Sequence, residues 1–179
     1  ISIMSELRTN RIVPRDGLPS GSSGGIIQVK QTFKTDTTTI SANGGFQDIS
    51  GMSVSITPTR SDSKIMVMFM VSVGSGNVSS VHGVRLVRDS TPVGIADAAS
   101  SRGRATVGEF TAHSNATNTI VPANSIFIDS PSTTSAITYK LQHIAANGQT
   151  GYINRSGEHL DEAHHCVGTS HITVMEVSG

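Results

Sequence analysis

From Ile26 onward apolar and polar residues alternate with a period of two, in short runs closed by Gly, Pro, Asn, Asp or Ser. That is the pattern of half-buried β-strands. Residues 26–34 form the first run. A Thr-rich connection and Gly44-Gly45 lead to 46–49, and 53–57 (SVSIT) alternates strictly until Pro58 stops it. The run 64–73 (KIMVMFMVSV) is the strongest. Ile65, Val67, Phe69, Val71 and Val73 share one face, while Met66, Met68 and Met70 make the opposite face apolar as well, which predicts a strand covered on both sides. Residues 84–88, the turn Asp89-Ser90-Thr91 and residues 92–95 read as a hairpin. Further strands are predicted at 125–129, 137–145, 152–154 and 171–177, with one weak strand near 106–111 inside long loops over 96–124. Residues 158–166 read as a helical turn or two. About eight to ten short strands with no long helix predict an all-β fold, an antiparallel β-sandwich whose strand count suits a jelly roll. No internal repeat of solenoid or propeller period is present.

Residues 1–25 lack this alternation and end in Leu18-Pro19-Ser20-Gly21-Ser22-Ser23-Gly24-Gly25, a linker by composition. We therefore expect two parts: 1–25, an extended N-terminal anchoring arm with its Gly/Ser linker, and 26–179, the sandwich domain. A length of 179 residues suits one domain plus such an arm. Ser and Thr number 45, Trp is absent and 36% of residues are hydrophobic, a composition of strands and polar turns and not of a disordered chain. Basic and acidic residues balance at 13 each, which argues against nucleic acid or an anionic membrane as a partner. The longest apolar run, 65–71, is far short of the roughly 20 residues of a membrane-spanning helix, so no membrane insertion is expected. Glu6, Arg8 and Arg11 interrupt any signal-peptide core, and Met4 reads as a possible start residue. Cys166 is the sole cysteine, which rules out an intrachain disulfide and fits assembly in a reducing cytoplasm.

Chemistry is sparse. Gly21-Ser22-Ser23-Gly24-Gly25 matches the G-x-S-x-G of hydrolase nucleophile elbows, but it lies in the linker, without the strand before it or the helix after it that the elbow needs. His159, His164, His165 and Cys166, with Asp161 and Glu162 between, are the densest set of metal-ligand types. They follow no C-x-x-C or H-E-x-x-H frame and read as a solvated loop; a threefold axis would be one way to turn a single inward histidine into three ligands. His82, His113, His143 and His171 are scattered, and Asp48, Asp62, Asp89, Asp97, Glu109 and Asp129 sit mostly at strand ends and turns, where Asp serves the backbone. Arg102 and Arg104 near Glu109 would suit an anionic or carbohydrate ligand, but a solvated charge cluster is the simpler reading. Aromatics are few, which leaves little for a sugar platform. No catalytic, cofactor-binding or metal site is expected, and no enzyme.

The stretches 4–14 (MSELRTNRIVP), 25–32 (GIIQVKQT), 53–58 (SVSITP) and 63–67 (SKIMV) resemble virion structural proteins and head- or tail-fibre modules of tailed phages, especially those of marine cyanobacteria. So do 84–89 (VRLVRD), 127–131 (FIDSP), 152–156 (YINRS) and 172–177 (ITVMEV). A weaker similarity, in the order of the strong strand, the hairpin and the apolar final strand, is to the trimeric jelly rolls of the tumour-necrosis-factor and complement-globular-head group. The resemblance implies a non-enzymatic virion protein, assembled in the bacterial host cytoplasm. It would be a fibre or appendage subunit bound to other virion proteins through residues 1–25 and joined to copies of itself as a homotrimer. The methionine face of 64–73 needs a cover, which a neighbouring subunit or a second layer or loop of the same chain would supply, since Met fills irregular interfaces well. A monomer held individually on the capsid is the rival to the trimer. A host-surface glycan-binding module and a capsid decoration protein are the alternatives.

Overall fold

A computed structural model describes residues 25–41, 45–77, 81–110, 116–146 and 148–178. The expected arm, its G-x-S-x-G match up to Gly24 and His113 lie outside the described residues. The strands in chain order are β1 (Ile26–Lys34), β2 (Thr38–Ile40), β3 (Gln47–Ile56), β4 (Lys64–Ser75), β5 (His82–Arg88), β6 (Thr91–Val93), β7 (Val107–Phe110), β8 (Ile120–Asp129), β9 (Ile137–Ala145), β10 (Gly151–Ile153) and β11 (Ser170–Val177). Among the described residues no helix is long and apolar enough to cross a membrane.

All pairings are antiparallel and fall into two sheets. In the first, β1 pairs β11, β11 pairs β4 and β4 pairs β8; β10 and β2 continue it beyond the end of β11. In the second, β3 pairs β9, β9 pairs β5, and β5 carries β6 along one half and β7 along the other. Numbering the eight main strands in sequence order (β1, β3, β4, β5, β7, β8, β9, β11), the first sheet holds the first, eighth, third and sixth, and the second holds the second, seventh, fourth and fifth. Chain neighbours thus mostly change sheet, which is the double Greek key of a jelly roll. The core lies between the sheets: Ile65, Val67, Phe69, Val71 and Val73 face Val54, Ile56, Val84, Leu86, Ile137, Tyr139 and Leu141, all buried. Each such side chain contributes about 1.5–3 kcal/mol by leaving water.

Three buried polar groups tie the strand ends. Glu176 is fully buried on β11 and accepts four hydrogen bonds: from Gln28 Nε2 (2.6 Å), Thr59 N (2.7 Å), Thr59 Oγ1 (2.8 Å) and Ser63 Oγ (2.7 Å). Burial raises its pKa, but these donors outweigh that and leave it below the usual value. Asp129 accepts from the Tyr139 hydroxyl and from Arg88, both at 2.7 Å. Burial, with the Asp129 carboxylate beside it, pushes the Tyr139 phenol up. Asn154, buried with φ of 63°, donates to Lys34 O (3.1 Å) and Asp36 O (2.9 Å) and accepts from Ser170 Oγ (2.5 Å), pinning the ends of β1, β10 and β11 together.

Three expectations are corrected. Residues 46–49 and 53–57 belong to one strand, because four residues, 49–52, stand opposite Leu141 alone and Gly51 takes a φ of 77° there. That irregularity returns Met52, Val54 and Ile56 to the face Ile49 occupies. The loop assigned to 96–124 ends earlier, at Ile120, since β8 pairs β4 from Ile120 to Asp129. Pro122 looks like a breaker in sequence, but β8 is an edge strand, where a missing N–H is tolerated. Residues 158–166 form bends and a turn, not helix: 158–164 are all exposed, so nothing apolar docks a helical face.

Candidate interaction surface

Neighbouring side chains of a strand leave opposite faces, so the inward series Ile65 to Val73 sends Met66, Met68 and Met70 outward. The register of β4 with its neighbours lays three rows across that outer face. Val29, Met175, Met66 and Ile128 form the first; Gln31, Thr173, Met68 and Ile126 the second; Phe33, His171, Met70 and Asn124 the third. Ile126 is 67% exposed, Ile128 60%, Phe33 56% and Val29 51%, while the methionines between are half-buried. Phe33 stacks on His171 at 6.4 Å between ring centroids. No Asp, Glu, Lys or Arg stands in these rows. The face can remove apolar area from water, but it offers little to a charged ligand.

The outer face of the second sheet is the opposite in character. Ser55 Oγ and Thr138 Oγ1 lie 2.7 Å apart, Arg85 Nε donates to Gln142 Oε1 at 2.7 Å, and Asp48 accepts from Lys140 Nζ (2.7 Å) and Gln142 Nε2 (2.6 Å). Lys140 first, then Gln142, hold the Asp48 carboxyl below its ordinary pKa. These cross-strand pairs satisfy one another and suit a solvated surface.

The residues with chemical potential are otherwise engaged. His82 and His143, far apart in sequence, both point inward at one end of the sandwich, with His82 Nδ1 and His143 Nε2 3.1 Å apart. Burial lowers the His82 pKa to about 4; burial, aided by His82, lowers that of His143 to about 3. Both rings are therefore neutral at pH 7 and almost fully buried. Among the described residues His82 Nε2 and His143 Nδ1 have no hydrogen-bond partner, and of the two rings only His82 borders the cleft that Arg102 lines, which suits packing and not proton transfer. In the exposed loop, Glu162, His164 and His165 bring one ligand atom each within 4.8 Å of one another, and Glu162 Oε2 lies 3.1 Å from His164 Nε2. His159 and Cys166 stand outside that group. The His159 backbone N–H donates to Ser156 Oγ, and Cys166, exposed, donates weakly to Ala163 O at 3.8 Å. Asp62 is paired with Arg60 and Asp89 accepts from Thr138 N, both structural uses. Arg104 donates to Ala96 O, and Arg102 lines an open cleft of about 400 Å³ with Phe46, Ala105 and Ile144.

No family model matches the chain, and no curated protein matches it. Solved structures similar to it include T=1 particles derived from infectious bursal virus, 13% identical over 97% of this chain and 41% of that chain, with a TM-score of 0.45. The Gt strain of infectious bursal disease virus is 14% identical over 96% of this chain and 43% of that chain, TM-score 0.47. Its T13 particle is 13% identical over 96% and 40%, TM-score 0.45. The chain thus spans about two fifths of the length of those proteins. The jelly-roll assignment rests on this chain's own strand pairing.

The methionine half of the outer face was legible in sequence. Val29, Phe33, Ile126 and Ile128 were not, because alternation separates two faces without saying which is inner. In β1 the inner positions are Gln28, Lys30, Thr32 and Lys34, opposite Glu176, Val174, Ile172 and Ser170, so the apolar residues point out. The one signal available was the polarity of those alternate positions.

Proposed function

We propose that this chain is a non-enzymatic virion structural protein, a fibre or appendage subunit of a tailed phage, fastened to the particle by residues 1–25 and joined to copies of itself as a homotrimer through its β domain. The observation that carries this is the apolar outer face of the sheet β1-β11-β4-β8, which no described residue covers, while the other sheet faces water. A contiguous exposed patch of this kind marks a contact surface. The phage and fibre assignments are supported by the sequence resemblance described above. Asp48, Asp89, Asp129 and Glu176 are used in pairing and hydrogen bonding and His82 and His143 in packing, which favours a mechanical role.

Deletion of residues 1–25 tests the anchor. Because β1 begins at Ile26, the truncated protein is expected to keep its cooperative thermal transition and to vanish from purified particles. Incorporation at normal copy number would remove the anchor assignment, and absence of the full chain from purified particles would overturn the virion role.

A further inference from the structure

We infer that the occupant of the apolar face is a second copy of this chain, with three faces closing around a threefold axis. Met66, Met68 and Met70 then point toward the axis, and the β1 border of one subunit meets the β8 border of the next. This assigns the contact surface within the oligomer proposed above and rests on that reading.

Width is the first ground. The face is four strands across at this level, β1, β11, β4 and β8. At about 4.8 Å per strand it is about 19 Å wide. Three faces of that width, set as the sides of a triangular prism, each stand about 5.5 Å from the axis, and sheets packed face to face stand about 10 Å apart, so each supplies a side-chain layer about 5 Å thick. Three such layers fill the prism without a hole. A six-stranded face would leave the axis about 8 Å away and hollow.

The distribution of side chains agrees. The most exposed apolar residues lie at the two borders, Val29 and Phe33 on β1 and Ile126 and Ile128 on β8, where neighbouring subunits converge. The half-buried middle strand carries unbranched methionines, whose adaptable chains suit an irregular three-way junction. Because the three rows carry no Asp, Glu, Lys or Arg, copies meet without repulsion between permanently charged groups. Three rows about 6.8 Å apart and about 19 Å wide project about 400 Å², and side-chain relief brings the accessible area toward the about 800 Å² that each partner gives up in a stable interface. Cyclic closure leaves no open apolar face to propagate into filaments.

The competing occupant is the chain's own N-terminal segment, since Gly25 O accepts from Ser178 N beside the β1 border. Light scattering on the full chain, on the chain lacking residues 1–24, on Ile126→Glu and on the polar-face control Ser55→Glu separates the possibilities. The full chain, the truncation and the control are expected to be trimers at high micromolar concentration. Ile126→Glu is expected to be a monomer that still unfolds cooperatively, because that side chain is exposed in the single chain. Its melting temperature is expected to be lower and no longer to depend on protein concentration, because the stabilisation from association is lost. In a Cys166→Ser background, Val29→Cys with Ile128→Cys is expected to give disulfide-linked trimers on mild oxidation. If Ile126→Glu stays trimeric, or the cysteine pair does not cross-link, the face assignment fails while the oligomer stands. A dimeric full chain overturns threefold closure. A monomeric full chain defeats the oligomeric reading itself, and association appearing only after truncation makes the arm the occupant.

Discussion

Lowering the pH from 7.5 to 5 is expected to cost the fold about 4 kcal/mol through His82 and His143 alone. Each imidazole titrates near 6.5 when the chain is unfolded and at about 4 (His82) or about 3 (His143) when folded. Below 6.5 the unfolded chain binds protons that the native state refuses, so stability falls as pH falls. The loss continues until the folded values are reached, and is complete only below about pH 3. At pH 5 the medium is 1.5 units below the unfolded value, and one unit is worth about 1.4 kcal/mol, so each histidine costs about 2 kcal/mol. That figure depends little on the folded values so long as both stay below 5. The slope near pH 5 approaches about 2.7 kcal/mol per pH unit, two protons' worth. Urea unfolding at a series of pH values, on the native protein and on the non-titrating double variant His82→Gln/His143→Gln, reads the difference. If both proteins lose stability equally between pH 7.5 and 5, the pair is not held neutral in the native state.

Asn154→Ala removes three buried hydrogen bonds and places Ala at a positive φ, and is expected to lower unfolding free energy by about 3 kcal/mol in urea titrations at pH 7. Glu176→Gln turns a donor toward Gln28 and is expected to cost about 2 kcal/mol at pH 7. Because the folded pKa of Glu176 lies below 4.5, its contribution is full above that value and is lost as pH falls through the folded one, so the variant and the native protein should converge in acid. Metal analysis of protein purified without an affinity tag is expected to find less than one equivalent of zinc or iron per three chains; a stoichiometric ion that His164→Ala removes would make Glu162, His164 and His165 a metal site.

β9, whose alternation runs unbroken, was readable to the residue, and so were the bounds of β1, whose register shift between Ile26 and Gln28 falls at its very start. β3 was split because its irregularity at 49–52 changes the parity of inward positions, and period-two reading assumes that parity never changes. β2, three residues in a Thr-rich stretch, carries too few apolar positions to show a period, and its pairing to β10 is a tertiary event. The histidine pair was invisible for a similar reason. His82 and His143 are related only by the register of β5 with β9, which sets Val84 opposite His143. The candidate face was half legible: Met66, Met68 and Met70 announced a second apolar side of β4, but its extension to both borders depended on which faces of β1 and β8 turn outward.

Cys166, the chain's sole cysteine, sits exposed in the loop between β10 and β11. A maleimide reagent therefore meets one thiol in this chain, outside the buried core and outside the three apolar rows. Gold or a fluorophore attached there would mark every copy without mutagenesis. The spacing of labels on an imaged particle would then report both where the subunits sit and how many stand together at each position.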